Sequence, residues 1–255
     1  MKDTELFNFL VSEAAHPFSG WDFSYIRDRI VSAPLTWSYT SMLLPLMRKV
    51  DSLLDMGTGG GEFLSSLLPL PKHTCATENY KLILAIAKNK LEPLGVRVFY
   101  CTDDQHLPFK DEEFDLIINR HEFYSEIEVY RILKPNGIFI TQQVGEKNDS
   151  RLRFILTGSE ESENEIEWNL DYAANKLENT GFEILEKQEN ITPTRIFDVG
   201  AIVYYFNAVS WELPGFSIEN YYDKLLEIHA YINENGYLEL DSNNHRFIIK
   251  AMKLK

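Results

Sequence analysis

The chain has 255 residues, of which 44% are hydrophobic and 25% are charged, enough to bury a sizeable core without disulfides or metals. Its 39 acidic residues outnumber 25 basic ones, and the formal net charge of −14 disfavours nucleic acid as a partner because polyphosphates would be repelled. We expect a cytoplasmic protein with no membrane partner, since neither a run of roughly 18 apolar residues nor a secretion signal is visible.

The N-terminal segment, residues 1–45, is predicted to be a helical cap ahead of a main domain that spans residues 46–255. Apolar residues recur at helical spacing in Leu6, Phe9 and Leu10, and prolines and glycines divide the segment into short pieces. Its aromatic residues are suited to closing over a ligand, although ordinary packing explains any one of these rings equally well.

Five short apolar runs follow, and they are predicted to be strands buried on both faces because they do not alternate with polar residues. They are VDSLLDM, HTCATE, VRVFYCT, FDLIINR and GIFITQQV. Helical patterns separate them, and one begins at Ser125 with Glu128 in a capping box and stops near Gly137. Strands that alternate with helices predict an α/β fold with a parallel sheet. The cysteines of two runs, Cys75 and Cys101, are too few for a four-ligand zinc site, and we expect no metal.

The C-terminal part is predicted to hold two more strands, FEILEKQEN and HRFIIKAMK, with a helical insertion over about 196–240. An insertion of this length beside a sheet edge is often a lid or a substrate-binding element. Before the first of these strands, an acidic run is expected to be a solvated loop. Its members are Glu160, Glu161, Glu163, Glu165 and Glu167.

The segment LLDMGTGGGEF is the most informative part of the sequence. It predicts a strand that contains Asp55 and runs into a turn with glycines at 57, 59, 60 and 61, followed by a helix. Glycine permits positive φ and a close approach of the backbone to a ligand, here at the start of a helix. The dinucleotide fingerprint requires glycine at the sixth position of the turn, where this chain has Glu62. A carboxylate at Asp55 also favours a cationic ligand over a diphosphate.

Acidic residues follow two further strands in register with this turn. Glu78 ends the second run, where a carboxylate can accept hydrogen bonds from both hydroxyls of a ribose. Asp103 and Asp104 follow the third run, where a carboxylate can accept from an adenine amino group. Any one of these acids is as easily explained as a helix cap, but three in register with a glycine turn favour a nucleoside site.

As a set, these segments resemble the class I S-adenosylmethionine-dependent methyltransferases, and in particular the type 11 group. The resemblance rests on LLDMGTGGGEF, ATE, CTDDQHLPF, FDLIINR and YRILKPNGIFI, and it covers about residues 50–145. It implies a Rossmann-like, mostly parallel sheet of seven strands with an antiparallel final strand, helices on both faces, and S-adenosyl-L-methionine as the cofactor.

The resemblance also assigns residues to the cofactor. Asp55, Gly57, Thr58 and Gly59 would line the methionine and ribose part, and Asn119 would lie near the methionine moiety. Glu78, with Asn79 beside it, would hold the ribose hydroxyls, and Asp103 or Asp104 would hold adenine; which aspartate does so stays open. The chain departs from the common pattern at Thr58, at Gly60 and at Asn136, where the family often has Cys, Thr and Gly.

A small-molecule acceptor is the leading expectation, bound between the cap and the 196–240 insertion. His121 follows the fourth strand and is the candidate catalytic base, while a structural hydrogen bond to a nearby carbonyl is the alternative. Glu122, Trp37, Tyr39 and Arg29 are the candidate substrate-binding residues, and Arg29 would suit an anionic substrate. NRHEFY does not resemble the Asn-Pro-Pro-Tyr motif of enzymes that methylate base amines, which again disfavours nucleic acid.

Three other functions remain open from the sequence. An RNA or protein methyltransferase would be favoured by a basic groove around Lys147, Arg151 and Arg153. A nicotinamide-dependent oxidoreductase conflicts with the glycine spacing and with Asp55. A cofactor-binding protein without catalysis is also possible, because no residue specific to the chemistry stands out. The acceptor atom and the oligomeric state are not determined by the sequence.

Overall fold

The computed structural model describes residues 3–18, 21–159 and 167–254, and these contain an eight-stranded mixed sheet with helices. The strand order is β1-β7-β8-β6-β5-β2-β3-β4. The strands are β1 Ile30–Ser32, β2 Ser52–Met56, β3 His73–Glu78, β4 Arg97–Tyr100, β5 Phe114–Arg120, β6 Leu133–Val144, β7 Phe182–Ile196 and β8 Leu238–Lys253. The helices are α1 Asp3–Ala14, α2 Tyr39–Met47, α3 Glu62–Ser65, α4 Lys81–Leu91, α5 Glu126–Ile132, α6 Ser150–Thr157, α7 Leu170–Thr180, α8 Val199–Ala208 and α9 Ile218–Asn235.

The Rossmann-like class and the antiparallel final strand are confirmed. The pairs β2–β3, β2–β5, β3–β4 and β5–β6 are parallel, and β8 runs antiparallel to β6. The predicted count of seven strands is one too few, because Ile30–Ser32 pairs antiparallel with Thr194–Ile196 of β7. A strand of three residues carries too little periodicity to be visible in the sequence, and it exists here through its pairing with a distant segment.

Successive side chains of the central strands belong to different buried clusters, which explains why these runs are apolar throughout. Ile117 of β5 and Phe139 of β6 belong to one buried cluster, together with Phe247 of β8. Their neighbours Ile118 and Ile140 belong to another cluster. Because successive side chains of a strand point to opposite faces, the sheet is covered on both faces.

Helix α5 matches the predicted start but not the predicted end. Ser125 is the N-cap, and its Oγ accepts a hydrogen bond from the backbone N–H of Glu128. The Glu128 carboxylate does not complete the capping box; it accepts from the N–H of Leu107 at 2.8 Å. The helix ends at Ile132 and β6 begins at the next residue, so the predicted stop near Gly137 is wrong. Pairing with β5 extends β6 to a point before the glycine.

The chain divides into two compact units. The unit with the parallel strands consists of 36–145, 167–189 and 246–255. The helical unit consists of 1–35, 146–166 and 190–245. The helical unit has its own core, formed by apolar residues of α1, α6, α8 and α9 such as Leu10, Leu156, Phe206 and Leu225.

Within the helical unit, α6 was not anticipated from the sequence, whereas the two helices of the 196–240 insertion were. The acidic residues Glu160, Glu161, Glu163 and Glu165 lie outside the described residues. Among the described helices, none is long and apolar enough to cross a membrane.

Candidate functional site

The turn after β2 is shaped by three glycines in the left-handed region. Gly57, Gly59 and Gly61 have φ of 68°, 60° and 82°. The N–H of Thr58 donates to the carbonyl of Thr77 at 2.9 Å, which ties the turn to β3. A Cβ on Gly57 would lie 2.5 Å from the Cβ of Glu122, so this position has room only for glycine. Glu122 therefore packs directly against the turn at the carboxyl ends of β2 and β3.

Glu78, the last residue of β3, is buried and fixed by three backbone donors. Its Oε2 accepts from the N–H of Gly59 at 2.8 Å, and its Oε1 accepts from the N–H groups of Asn79 and Tyr80 at 3.0 and 2.8 Å. A carboxylate offers about four lone-pair sites, so these three bonds leave acceptor capacity for a ligand hydroxyl. Glu78 therefore orders the glycine turn in addition to any role with a ribose.

Carboxyl groups crowd this edge of the sheet. Burial raises the pKa of Asp55 to about 7, and the nearby cation Arg120 only partly opposes this rise. Burial also raises the pKa of Glu122 to about 7, and the charges of Asp104 and Glu78 add to the effect. Such pKa values mean that the ionised acids lack sufficient positive charge around them. A cationic ligand at this edge would supply it.

The two candidate adenine residues occupy different surroundings. Asp103 is exposed and bonded within its own loop, accepting from the N–H of Gln105 at 2.9 Å and pairing with His106 at 2.8 Å. The bond to His106 lowers the pKa of Asp103. Burial raises the pKa of Asp104, and the charge of Asp103 adds to that rise. Asp104 is thus the aspartate whose charge acts on Glu122 at this edge of the sheet.

Buried polar groups at the same edge lack partners within the described residues. Asn119, fully buried at the end of β5, accepts from Thr141 and Gln143 through Oδ1, but its Nδ2 has no hydrogen-bond partner. Thr58 Oγ1 also lacks a partner at regular hydrogen-bond geometry, although its hydroxyl is close enough to lower the pKa of Asp55. A buried donor without an acceptor costs free energy, and a ligand with acceptor oxygens would remove that cost.

His121 is held in an unusual conformation directly after β5. Its φ is 63°, and its N–H donates to the carbonyl of Gln142 at 2.8 Å. The ring contacts solvent yet is crowded by protein atoms, and this crowding, together with Arg246 and Arg120, holds the pKa of His121 below its usual range. A neutral imidazole is therefore expected near neutral pH.

The remaining candidate substrate-binding residues make different contacts. Glu122 lies against the glycine turn, and its Oε1 accepts from Asn79 Nδ2 at 2.9 Å. The Tyr39 hydroxyl is buried and donates to the Asn119 carbonyl at 3.0 Å. Trp37 donates to Gln142. Arg29 belongs to the helical unit, where its guanidinium binds both carboxylate oxygens of Asp198 and also Glu13.

Two of the three basic residues considered for a nucleic-acid groove make local contacts. Arg153 pairs with Glu212 at 3.0 Å and donates to the carbonyl of Asn148 at 2.9 Å. Arg151 lies over the ring of Phe154. These contacts give Arg153 a structural role within the helical unit.

Three residues that shape the site were not identified from the sequence. Thr77 accepts hydrogen bonds from the turn through its carbonyl and its Oγ1, and Gln142 contacts His121. The charge of Arg120 partly opposes the rise in the pKa of Asp55. Strand register is the signal that would have found two of them, because Arg120 pairs with Gln142 at the carboxyl ends of β5 and β6.

Residues 54–141 match the model of a methyltransferase domain family. This segment is therefore similar to a methyltransferase domain. A malonyl-[acyl-carrier protein] O-methyltransferase of Marinomonas sp. (strain MWYL1) is 30% identical over 107 residues, which are 38% of this chain and 39% of that protein. An uncharacterized methyltransferase of Schizosaccharomyces pombe is 30% identical over 98 residues, which are 36% of this chain and 38% of that protein. The matches thus span about two fifths of the length of these curated relatives.

The fold of the chain also matches solved structures. A protein from Bacillus halodurans C-125, provisionally assigned as a methyltransferase, is 19% identical with a TM-score of 0.59. The alignment covers 86% of this chain and 100% of that chain. At this identity the likeness concerns the fold alone.

The residues present fit S-adenosylmethionine. Its sulfonium and ammonium groups are cations, which would stabilise the ionised forms of the carboxyls Asp55 and Glu122. Its carboxylate and ring oxygens are acceptors for buried donors such as Asn119 Nδ2. The turn also has three residues in the left-handed region, where glycine is the residue without strain. No comparable provision for a diphosphate is seen at this turn, where the nearest ionisable groups are acids.

Proposed function

We propose that the chain is an enzyme that transfers a methyl group from S-adenosylmethionine to a small-molecule acceptor. The observation that carries the proposal is the set of carboxyls with raised pKa, Asp55 and Glu122, beside a glycine turn and an unpartnered buried amide at Asn119. This arrangement suits a ligand that is cationic at one point and rich in acceptors at another. The methyltransferase family supplies the identity of such a ligand.

Each group of residues would have a separate task in this function. Asp55, Gly57, Thr58 and Gly59 would hold the methionine and ribose part, with Asn119 as a donor near the methionine end. Glu78 would accept from the ribose while it keeps the glycine turn in shape. Asp104 would hold the adenine end, because Asp103 is already bonded within its own loop.

When bound, S-adenosylmethionine would supply an electrophilic methyl group, which an acceptor nucleophile takes in line while the thioether leaves. The chain's own part is therefore to align the acceptor and to exclude water, and general-base help is needed only for acceptors that carry a proton. An acidic chain whose Arg153 is engaged by Glu212 offers little to a polyanion, which supports a small molecule over RNA. One relative is named as an O-methyltransferase, which supports testing oxygen acceptors first.

Thermal unfolding with S-adenosylmethionine, S-adenosylhomocysteine, NADH and NADPH tests the proposal. A ligand that binds only the folded state stabilises it by RT ln(1 + [L]/Kd), so the two adenosyl compounds should raise Tm and the nicotinamides should not. Glu78→Ala should weaken the effect, since a charged hydrogen bond worth about 1.5 to 3 kcal/mol is lost. A Tm increase with NADH alone would overturn the cofactor assignment.

Transfer itself requires a second experiment. Labelled S-adenosylmethionine is incubated with the chain and with panels of small carboxylates, phenols and amines, and with total RNA as the contrasting substrate. Label in a small molecule supports the proposal. Binding of S-adenosylmethionine together with label only in RNA, or in no acceptor, would favour the RNA methyltransferase or the non-catalytic binding protein.

A further inference from the structure

A three-residue hydrogen-bond chain fixes which nitrogen of His121 carries the proton. The Trp37 indole Nε1 is only a donor, so the group of Gln142 that faces it at 2.9 Å must be the acceptor Oε1. The amide nitrogen of Gln142 therefore faces the other way, toward His121 Nε2 at 3.1 Å. An amide nitrogen is only a donor, so His121 Nε2 accepts and the proton of the neutral ring lies on Nδ1.

This arrangement leaves His121 poorly suited to remove a proton. The lone pair of Nε2 is occupied by Gln142, and Nδ1 carries a hydrogen that has no hydrogen-bond partner within the described part of the chain. The backbone of His121 is held by its own bond to the Gln142 carbonyl, and the contact with the Gln142 amide keeps Nε2 on that side of the ring. What the residue offers is a donor in a fixed position.

The charges around this donor are mixed, with the positive ones along one ladder of the sheet. Arg120 of β5 pairs with Gln142 of β6, and Val144, two residues on, pairs with Arg246 of β8. Paired residues share a face of a sheet, and so do residues two apart, so both arginine side chains share the face of Gln142. Glu122 is the one acid adjacent in sequence, and its carboxylate is directed to Asn79 and the glycine turn.

We propose that His121 binds the acceptor as a hydrogen-bond donor through Nδ1–H, that the group it binds is a carboxylate, and that Gln142 and Trp37 are positioning residues for it. The inference rests on the proposed function and adds the substrate class. Transfer to a carboxylate forms an O–CH3 bond as the S–CH3 bond breaks, the electron pair of the broken bond stays on sulfur, and no proton is released. No base is needed, which agrees with a histidine that cannot act as one.

The first test measures the tautomer and needs neither cofactor nor acceptor. Long-range ¹H–¹⁵N spectra of the six histidines distinguish a proton on Nδ1 from one on Nε2, and His121→Asn assigns the signal. We expect the proton on Nδ1 in the wild-type protein. In Gln142→Glu the carboxylate can only accept, so the proton should move to Nε2. The matched variant Gln188→Glu, on β7 and bonded to Glu186, should leave the signal unchanged.

The second test measures the ligand class with S-adenosylhomocysteine present. Butyrate, butyramide and butylamine are titrated while the Nδ1 signal of His121 is followed, and only butyrate should shift it saturably. Trp37→Phe should weaken that response, because the amide of Gln142 is no longer oriented. A proton on Nε2 in the wild type, or a response to butyrate no greater than to butyramide, would overturn the inference. Calorimetry of S-adenosylhomocysteine on the same sample reports separately on the proposed function.

Discussion

Asp55 and Glu122 should make the proposed binding of S-adenosylmethionine dependent on pH. Both carboxyls have a pKa of about 7 in the free chain, and a cationic ligand favours their ionised forms. Below pH 7 each must lose a proton on binding, so affinity should fall by about tenfold per pH unit for each carboxyl that ionises. Above pH 8 the affinity should level off.

Calorimetry of S-adenosylmethionine binding in two buffers of different ionisation enthalpy measures these protons directly. We expect proton release at pH 6 and almost none at pH 8. Glu122→Gln should reduce the release, whereas the same substitution at the exposed Glu183 should not. Proton uptake at pH 6 would contradict the assignment of these carboxyls to the cofactor edge.

Gly57 is required for two separable reasons, its backbone and its contact with Glu122. Gly57→Ala should cost about 1 to 2 kcal/mol for the left-handed backbone, and more for the Cβ that would lie 2.5 Å from Glu122. Gly95→Ala is a matched control, because Gly95 has φ of 84° and no atom within 4 Å of its Cβ position. Urea unfolding should give a larger loss for Gly57→Ala, which alone should also lose S-adenosylmethionine binding. Equal losses would contradict this account.

At the scale of elements, helix α5 holds the loop that carries the two aspartates. Glu128 accepts from the N–H of Leu107, and Arg131 donates to the carbonyls of Leu107 and Phe109. The loop 101–109 is thus attached to the helix by side chains of one turn. This pair of charged residues therefore adds to the packing of Phe109 on Phe99 of β4 in holding the loop.

Glu128→Ala should release that loop. We expect a loss of about 1.5 to 3 kcal/mol, since a charged acceptor is removed from the N–H of Leu107 and from two nitrogens of the Arg131 guanidinium. The Leu107 amide should exchange with solvent faster, and binding of S-adenosylmethionine should weaken because Asp104 is less well placed. The control Glu227→Ala removes an exposed i,i+3 pair with Lys224 on α9, where we expect almost no change. An unchanged exchange rate at Leu107 would exclude the attachment.

The predictability of each element followed from the range of its interactions. β3 and β5 were bounded correctly, because their apolar runs and polar ends are local properties of the sequence. The glycine turn was recognisable for the same reason. The bond from Gln142 to His121, the contact of Glu122 with Gly57 and the three-residue β1 depend on register between distant segments. Local sequence patterns do not predict which residues of two distant segments pair with each other.

At the scale of the whole molecule, each compact unit has a buried core of its own. In the helical unit, Leu6 and Leu10 of α1 are almost fully buried with Phe206 of α8, although nearly 200 residues separate them along the chain. Folding of this unit therefore needs segments from the beginning, middle and end of the sequence. The N-terminal segment is an integral part of that core.

Leu10→Ala should consequently destabilise the helical unit by about 2 to 5 kcal/mol, the usual cost of emptying a filled core position. Its neighbour Val11 is 43% exposed, so Val11→Ala should cost far less. Urea unfolding followed by fluorescence of the tryptophans measures both variants. Similar losses in the two would mean that α1 is not packed as described.

The acids around the glycine turn also bear on how the enzyme would finish a turnover. Methyl transfer converts a sulfonium cation into an uncharged thioether, so the ammonium group alone would remain as a counter-charge for Asp55 and Glu122. S-adenosylhomocysteine should then bind less tightly than S-adenosylmethionine at pH 8. This difference in affinity should be smaller at pH 6, where the acids are protonated. Competition between the two compounds at both pH values measures this. Crowded carboxyls would thus speed product release and relieve the enzyme of product inhibition.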